Sequence, residues 1–356
     1  MASFDDDARF LAETFRYSGD TLRAKSAGNS DATTHARNHS YQEGLLLSPL
    51  VTPLLADRLK LVGQRLRISE ESIDAFIYAS ADIQAECHAG STSSCVVRIS
   101  SSLVDLLNPD EFEFVIGHEL GHFLLNHGVI RMEQKSESLE YAIQNRAQEI
   151  SADRIGLVAC QSLETAVRAL MKTVSGLSSE HLRFDVGAFL SQLKNAPEAM
   201  HFESRTASHP SILVRCRALL WFSMSGMVDD GDAAHSQEKL KMLEGRIMND
   251  MDKFVDGPAR KLIEDGKNDL AIWIAASCVV QDEIFDKDRQ QKIAEMFGDG
   301  TLEKLKNFLG DLSSSTAQDV VYDRMKSARE ELEGLIPVGL ESTVNEIKRK
   351  VERQLG

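Results

Sequence analysis

The chain has 356 residues, enough for two ordinary domains or one large one. Apolar residues make up 42%, sufficient for a substantial core, and 55 Asp and Glu against 40 Lys and Arg leave a net charge of −15. That balance speaks against nucleic acid and against an anionic membrane surface as partners, since both are held by clustered cations.

The N-terminus, MASFDDDARF, has no basic region followed by an apolar run, so no secretory signal is expected. Residues 1–45 read as a flexible segment, polar throughout, with a short helix near 8–17. Residues 50–66 carry apolar positions at helical spacing. Two stretches, 72–80 and 95–107, predict strands; Val96, Val97 and Ile99 are β-branched and suit a pleated surface. Between them 86–94, ECHAGSTSS, predicts a turn. From 109 onward the pattern is mostly helical. The acidic stretch 229–236 predicts a linker, and 237–356, rich in Lys, Glu, Leu and Met, a separate all-helical domain.

The expected fold is therefore α+β and mainly helical, with one small sheet in a domain over 46–228 and a helical domain after it. The most apolar stretches, 212–222 and 271–280, are too charged or too short for a bilayer span of roughly 20 residues. Five scattered cysteines argue against a disulfide framework. A reduced, soluble, cytoplasmic protein without a transmembrane segment is expected.

The segment 117–128, GHELGHFLLNHG, places three histidines and a glutamate in apolar surroundings. Its helix announces itself: Asn108 suits the N-cap, Pro109 the first turn, Glu111 a capping box, and Gly128 a left-handed close, which predicts a helix over 109–127. His118 and His122 are four apart and so project from one face, one turn apart. That spacing holds one zinc ion with two nitrogens. Glu119, about 100° round the helix from His118, reaches a water at the metal without binding the metal itself. Otherwise both histidines are hydrogen-bonded core residues, but two unpaired imidazoles in an apolar face would be costly. A glycine at 121, mid-helix, costs about 1 kcal/mol relative to Ala, which close packing on that face would offset.

Catalytic zinc keeps three protein ligands. In 145–159, NRAQEISADRIGLVA, Glu149 and Asp153 are again four apart. Glu149 is the proposed third ligand, and Asp153 an acceptor that orients a histidine ligand through its free N–H. The small Ala152 and Gly156 let two helices approach. The plainer reading pairs both carboxylates with Arg146 or Arg154 on a solvated face. Farther on, Pro210 keeps His209 out of helical geometry, on a loop before a helix. His209 could face the metal, stabilising an oxyanion or filling the open position, while Arg215 could pair with Asp153. Spacing alone favours a surface histidine and a solvated arginine.

Taken in order, these three segments resemble the zinc endopeptidases typified by HtpX and the CAAX prenyl protease, metallopeptidase family 48, over about residues 45–222. The resemblance implies a zincin-like domain with its sheet beside the HExxH helix and one Zn2+ per chain. It implies peptide-bond hydrolysis with Glu119 as general base and His209 and Arg215 as further catalytic groups. It also implies a polypeptide substrate added as a strand along an edge formed by Val96, Val97, Arg98 and Ile99. The chain departs from well-known members, which are membrane-embedded or exported, and has DIQAECHAG at 82–90 where the family usually has an Asn-Ala pair. The rival reading is a catalytically silent, zinc-stabilised scaffold or chaperone-like protein in which His209 closes the fourth position.

Residues 270–298 resemble TerB-like helical domains, in which an acidic loop follows an apolar helix. Asp282, Glu283, Asp286 and Asp288 then form either a cation site or, more plainly, a solvated acidic turn. A helical module that binds a protein partner is the simpler expectation for 237–356.

Overall fold

The structure is a computed structural model that describes residues 4–21, 30–89, 94–127, 138–192, 209–228, 233–282, 284–310 and 314–355. Two compact units divide the chain, one of Met1–Gln134 with Ile143–Val255, the other of Lys135–Ala142 with Asp256–Gly356.

In the first unit the elements run α1 (Phe4–Phe15), α2 (Ser30–Glu43), β1 (Gly44–Leu46), α3 (Pro53–Leu66), β2 (Ile73–Tyr78), β3 (Ala85–His88), β4 (Cys95–Ser100) and α4 (Ser101–Leu106). They continue with α5 (Pro109–Leu124), α6 (Leu139–Cys160), α7 (Leu163–Ser175), α8 (Val186–Ser191), α9 (Ile212–Ser223) and α10 (Ala233–Met251). The strands form one sheet in the order β1-β2-β4-β3. β2 and β4 are parallel, with Phe76 opposite Arg98, and the outer pairs are antiparallel. The fold is α+β and mainly helical, with one small mixed sheet.

Helix α5 starts as its sequence demands. The Asn108 side chain accepts from the backbone N–H groups of Asp110 and Glu111, and Glu111 accepts the Asn108 N–H at 2.8 Å. Glu111 is buried there and also takes a 2.6 Å hydrogen bond from Lys172 of α7. The helix ends at Leu124 rather than 127, and Asn126, at φ 57°, supplies the left-handed residue. Gly128, expected in that role, lies outside the described residues.

Small residues bring α5 and α6 together. A Cβ on Gly117 would meet Ala159 Cβ at 2.3 Å, and one on Gly121 would meet Ala152 Cα at 3.1 Å. On the facing helix, a Cβ on Gly156 would lie 2.8 Å from the Phe114 carbonyl oxygen. The glycines are thus placed where backbone meets backbone, and their cost to the helix is offset by that contact.

Three expectations are corrected. The strand Val96–Ile99 is not an edge: β4 pairs with β2 on one side and β3 on the other, and β3 occupies the edge. The residues Ala85–His88 fall largely in the stretch that predicts a turn, but Ala85 and Cys87 pack on the core and draw it into the sheet. Second, residues 30–43, polar by composition, form helix α2 because Ala36 packs against Phe76 and Val96 and Arg37 pairs with Asp74 at 2.6 Å. Third, the division between compact units falls at Val255 and Asp256, not within 229–236. Helix α10 stays with the first unit because Ile247 and Met251 cluster with Val214 and Ala218 of α9.

The second unit carries α11 (Gly257–Asp282), α12 (Lys287–Phe297), α13 (Asp299–Gly310), α14 (Ser314–Leu335) and α15 (Leu340–Leu355). Helix α11 packs against α14 and α15, burying Ile274, Val279, Leu332 and Val351. In its acidic turn Asp282 pairs with Arg289 at 2.6 Å, Asp286 caps α12 and Asp288 pairs with Lys292. These carboxylates are engaged by their own neighbours, and Glu283 lies outside the described residues. Among the described residues no helix is long and apolar enough to cross a membrane.

Two glycine substitutions should act in opposite directions. Gly117→Ala improves helix propensity yet forces α5 off α6, so urea unfolding should show a loss of about 1–3 kcal/mol. Gly245→Ala, on α10 with open space around the new Cβ, should gain roughly 0.5–1 kcal/mol.

Candidate metal centre

Helix α5 presents His118 and His122 to α6, which presents Glu149 and Asp153. His118 Nε2 and His122 Nε2 lie 3.2 Å apart. Glu149 Oε2 is 3.5 Å from His118 Nε2, and its Oε1 is 3.4 Å from His122 Nε2. One ligand atom from each of the three lies within 4.8 Å of the others, and all three side chains are largely shielded from solvent.

The carboxylate Asp153 lies behind His118, with Oδ1 3.0 Å from its Nδ1. An ionised carboxylate only accepts, so Nδ1 carries a proton, and in the neutral imidazole Nε2 keeps its lone pair on the side of Glu149. Arg215 of α9 grips Asp153 with two bonds of 2.8 and 2.6 Å and reaches Glu149 at 3.4 Å. Asp153 therefore pairs with Arg215, as one sequence reading expects, while Arg154 pairs with Glu244 at 2.7 Å. His209 Nε2 stands 3.4 Å from Glu149 Oε1 with 57% of its side chain exposed, and it is not a member of the three-ligand cluster.

The electrostatics of this pocket favour a cation. With the imidazoles protonated and no metal between them, burial would push Glu149 up, but the His122 hydrogen bond and the charges of Arg215, His118 and His122 hold its carboxyl well below the usual range. Asp153 is likewise lowered: burial opposes its charge, and Arg215 then His118 overcome that. Burial depresses His118, yet the Asp153 hydrogen bond and Glu149 outweigh it and leave the imidazole above its ordinary value. A positive charge at the meeting point of these groups is stabilised.

Zinc fits this donor set. Tetrahedral zinc with bonds of about 2.0–2.2 Å separates its ligand atoms by roughly 3.3–3.5 Å; the two Nε2 atoms stand 3.2 Å apart, and Glu149 turns one carboxylate oxygen toward each imidazole, at 3.4 and 3.5 Å. Two imidazole nitrogens and one carboxylate also match a catalytic rather than a structural site, which would close with a fourth protein ligand. Glu119, adjacent to His118 on α5, is 8% exposed, and among the described residues its carboxylate has no hydrogen-bond or ion-pair partner.

Residues 55–144 and 139–221 match the model of peptidase family M48. Over that stretch the chain is similar to members of this family. A metallopeptidase from Arabidopsis thaliana, plastoglobule-localized metallopeptidase 48, is 26% identical over 182 residues, 44% of this chain and 53% of that protein. The metalloprotease YcaL of Escherichia coli is 35% identical over 191 residues, 54% of this chain and 59% of that protein. The chain thus spans between half and three-fifths of the length of these curated relatives. His118, Glu119, His122 and Glu149 lie within the matched region.

Two residues at this site escape a reading by motif. His127 Nδ1 lies 2.8 Å from His122 Nδ1, and His127 Nε2 lies 3.0 Å from Asp20 Oδ2. His127 was visible as the third histidine of its segment; Asp20 has no local signature. Burial drives the His127 imidazole down to about 4 despite the pull of Asp20.

Removing Arg215 tests the charge balance. In chelator-treated protein, Arg215→Ala leaves two buried carboxylates without their cation and should cost about 3–5 kcal/mol in urea unfolding at neutral pH. The lowered carboxyls contribute stability above their unfolded values near 4 and lose it as pH falls through their folded values. The gap between parent and variant should therefore be widest near neutrality and narrow below about pH 4.

Proposed function

We propose that the chain is a zinc-dependent endopeptidase that hydrolyses polypeptides. The observation that carries this reading is the convergence of His118, His122 and Glu149, whose ligand atoms lie within 4.8 Å of one another, beside a buried carboxylate with no partner among the described residues. His118, His122 and Glu149 would hold one zinc ion. When bound, zinc supplies a Lewis acid that lowers the pKa of a water toward about 7 and polarises a carbonyl.

The residues of the chain do the rest. Glu119 accepts a proton from water in the cleft and returns it to the leaving amine. Its lack of a competing partner keeps the carboxylate available for both transfers. His209, exposed and on the rim of the cluster, donates to the oxygen that gains negative charge. Arg215 is committed to Asp153 and Glu149, which supports a role in holding those carboxylates rather than in contacting substrate. Asp153 orients His118. The substrate chain would lie along β3, the sheet edge that packs beside α5, so that its backbone groups extend the ladder.

The scaffold reading needs a fourth protein ligand, and the described cluster has three. Cleavage of unfolded casein, abolished by a chelator and restored by zinc, separates the two. Glu119→Gln should retain stoichiometric zinc and lose turnover by at least a hundredfold, in line with general-base contributions of about 10²–10⁴. His122→Ala should lose the metal by elemental analysis. Casein cleavage by Glu119→Gln at the parent's rate would remove the base from this scheme, and no zinc-dependent cleavage by the parent would favour the scaffold.

A further inference from the structure

The ligand set uses two of the three histidines in the segment 117–128. The third, His127, is the more deeply buried, at 1% exposure against 8% for His118. Its two ring nitrogens face different partners: Nε2 faces Asp20 Oδ2 at 3.0 Å and Nδ1 faces His122 Nδ1 at 2.8 Å.

Asp20 is itself 1% exposed and saturated with donors. Its Oδ1 accepts from Gln144 at 2.6 Å, and its Oδ2 accepts from Ser151 and Arg16, each at 2.8 Å. A carboxylate in that setting only accepts, so the proton of His127 is on Nε2. Its Nδ1 then carries a lone pair, and the short contact to His122 requires His122 to donate from Nδ1. The lone pair of His122 is thereby assigned to Nε2, the atom that faces His118 and Glu149. The reverse assignment would set a lone pair of His127 against the Asp20 carboxylate in a buried site, which is repulsive.

We propose that His127 and Asp20 are positioning residues that fix the tautomer and ring orientation of His122 for metal binding, through the relay Asp20–His127–His122. The proposal rests on the reading of His118, His122 and Glu149 as the metal centre. Within it the two imidazole ligands are supported unequally: His118 directly by Asp153, His122 by a carboxylate one imidazole farther away. His127 lies inside the family-matched region 55–221 and Asp20 outside it, so the relay recruits its anchor from the N-terminal segment.

The test is zinc affinity of the purified full chain, read by competition with a chromophoric chelator. His127→Phe keeps a ring of similar size and removes both hydrogen bonds; it should weaken zinc binding 10- to 100-fold, the usual effect of losing a group that orients a ligand. His127→Gln, whose carbonyl can accept from His122, should recover much of that loss. A cobalt-loaded sample should show a shifted d–d band in His127→Phe and a near-parent band in His127→Gln. Unchanged zinc affinity in His127→Phe would overturn the relay. So would equal weakening by Phe and Gln, since a purely structural role tracks the metal-free stability of each variant and not its ability to accept from His122. If His127→Phe does not fold, Asp20→Asn takes its place, with a loss of about tenfold expected and none counting against the relay. Failure of the underlying site looks different: the parent would not bind one zinc, or His122→Ala would bind it as tightly as the parent.

Discussion

The contact between α5 and α6 at Gly117, Gly121, Ala152 and Gly156 is what the rest of the site depends on. The two histidines ride on one helix and the two carboxylates on the other, so the distance between backbones sets the distance between ligand atoms. Larger residues at the crossing would hold Glu149 away from the imidazoles, and a zinc coordination shell tolerates only a few tenths of an ångström. Gly117 and Gly121 are poor helix formers, and they are retained in a helix with a full capping box at its start. The cap and the packing face compensate for what the glycines forfeit.

A second constraint is charge. Glu149, Asp153 and Arg215 are all buried or nearly so, and buried charges persist only when paired. Arg215 grips Asp153 and reaches Glu149, which also faces Nε2 of both histidines. The pocket is therefore pre-set for a cation before one arrives, which reduces the reorganisation that binding requires. Glu119, one position from His118, has no hydrogen-bond or ion-pair partner among the described residues.

What could be read in the sequence was local and periodic. Four-residue spacing placed His118 with His122 and Glu149 with Asp153, and Asn108, Pro109 and Glu111 marked the start of α5, because each depends on residues within one turn of helix. The Asp153–Arg215 pair was one of two readings of Arg215, and spacing favoured the other, because the pair joins helices 62 residues apart. Strand order was not: β4 is central because β3 pairs with it, and β3 is hidden in a stretch whose Gly and Ser suggest a turn. Helix α2 has a polar composition and owes its place to Ala36 and Arg37 meeting the sheet. Helix α10 follows an acidic stretch that reads as a boundary, yet its apolar residues belong to α9. Asp20 is the extreme case: apart from Arg16, the side chains it meets, those of His127, Gln144 and Ser151, lie more than a hundred residues away.

That separation has a consequence in time. Asp20 leaves the ribosome 107 residues before His127, and both precede Glu149. A growing chain carries the whole zinc signature before the N-terminal segment has docked behind it. Closing so long a loop is a late step in folding, because its entropy must be spent before the contact rewards it. The buried contact between Asp20 and His127 therefore forms only once the N-terminal segment and the end of α5 have met, so the surroundings of His122 are completed late in folding.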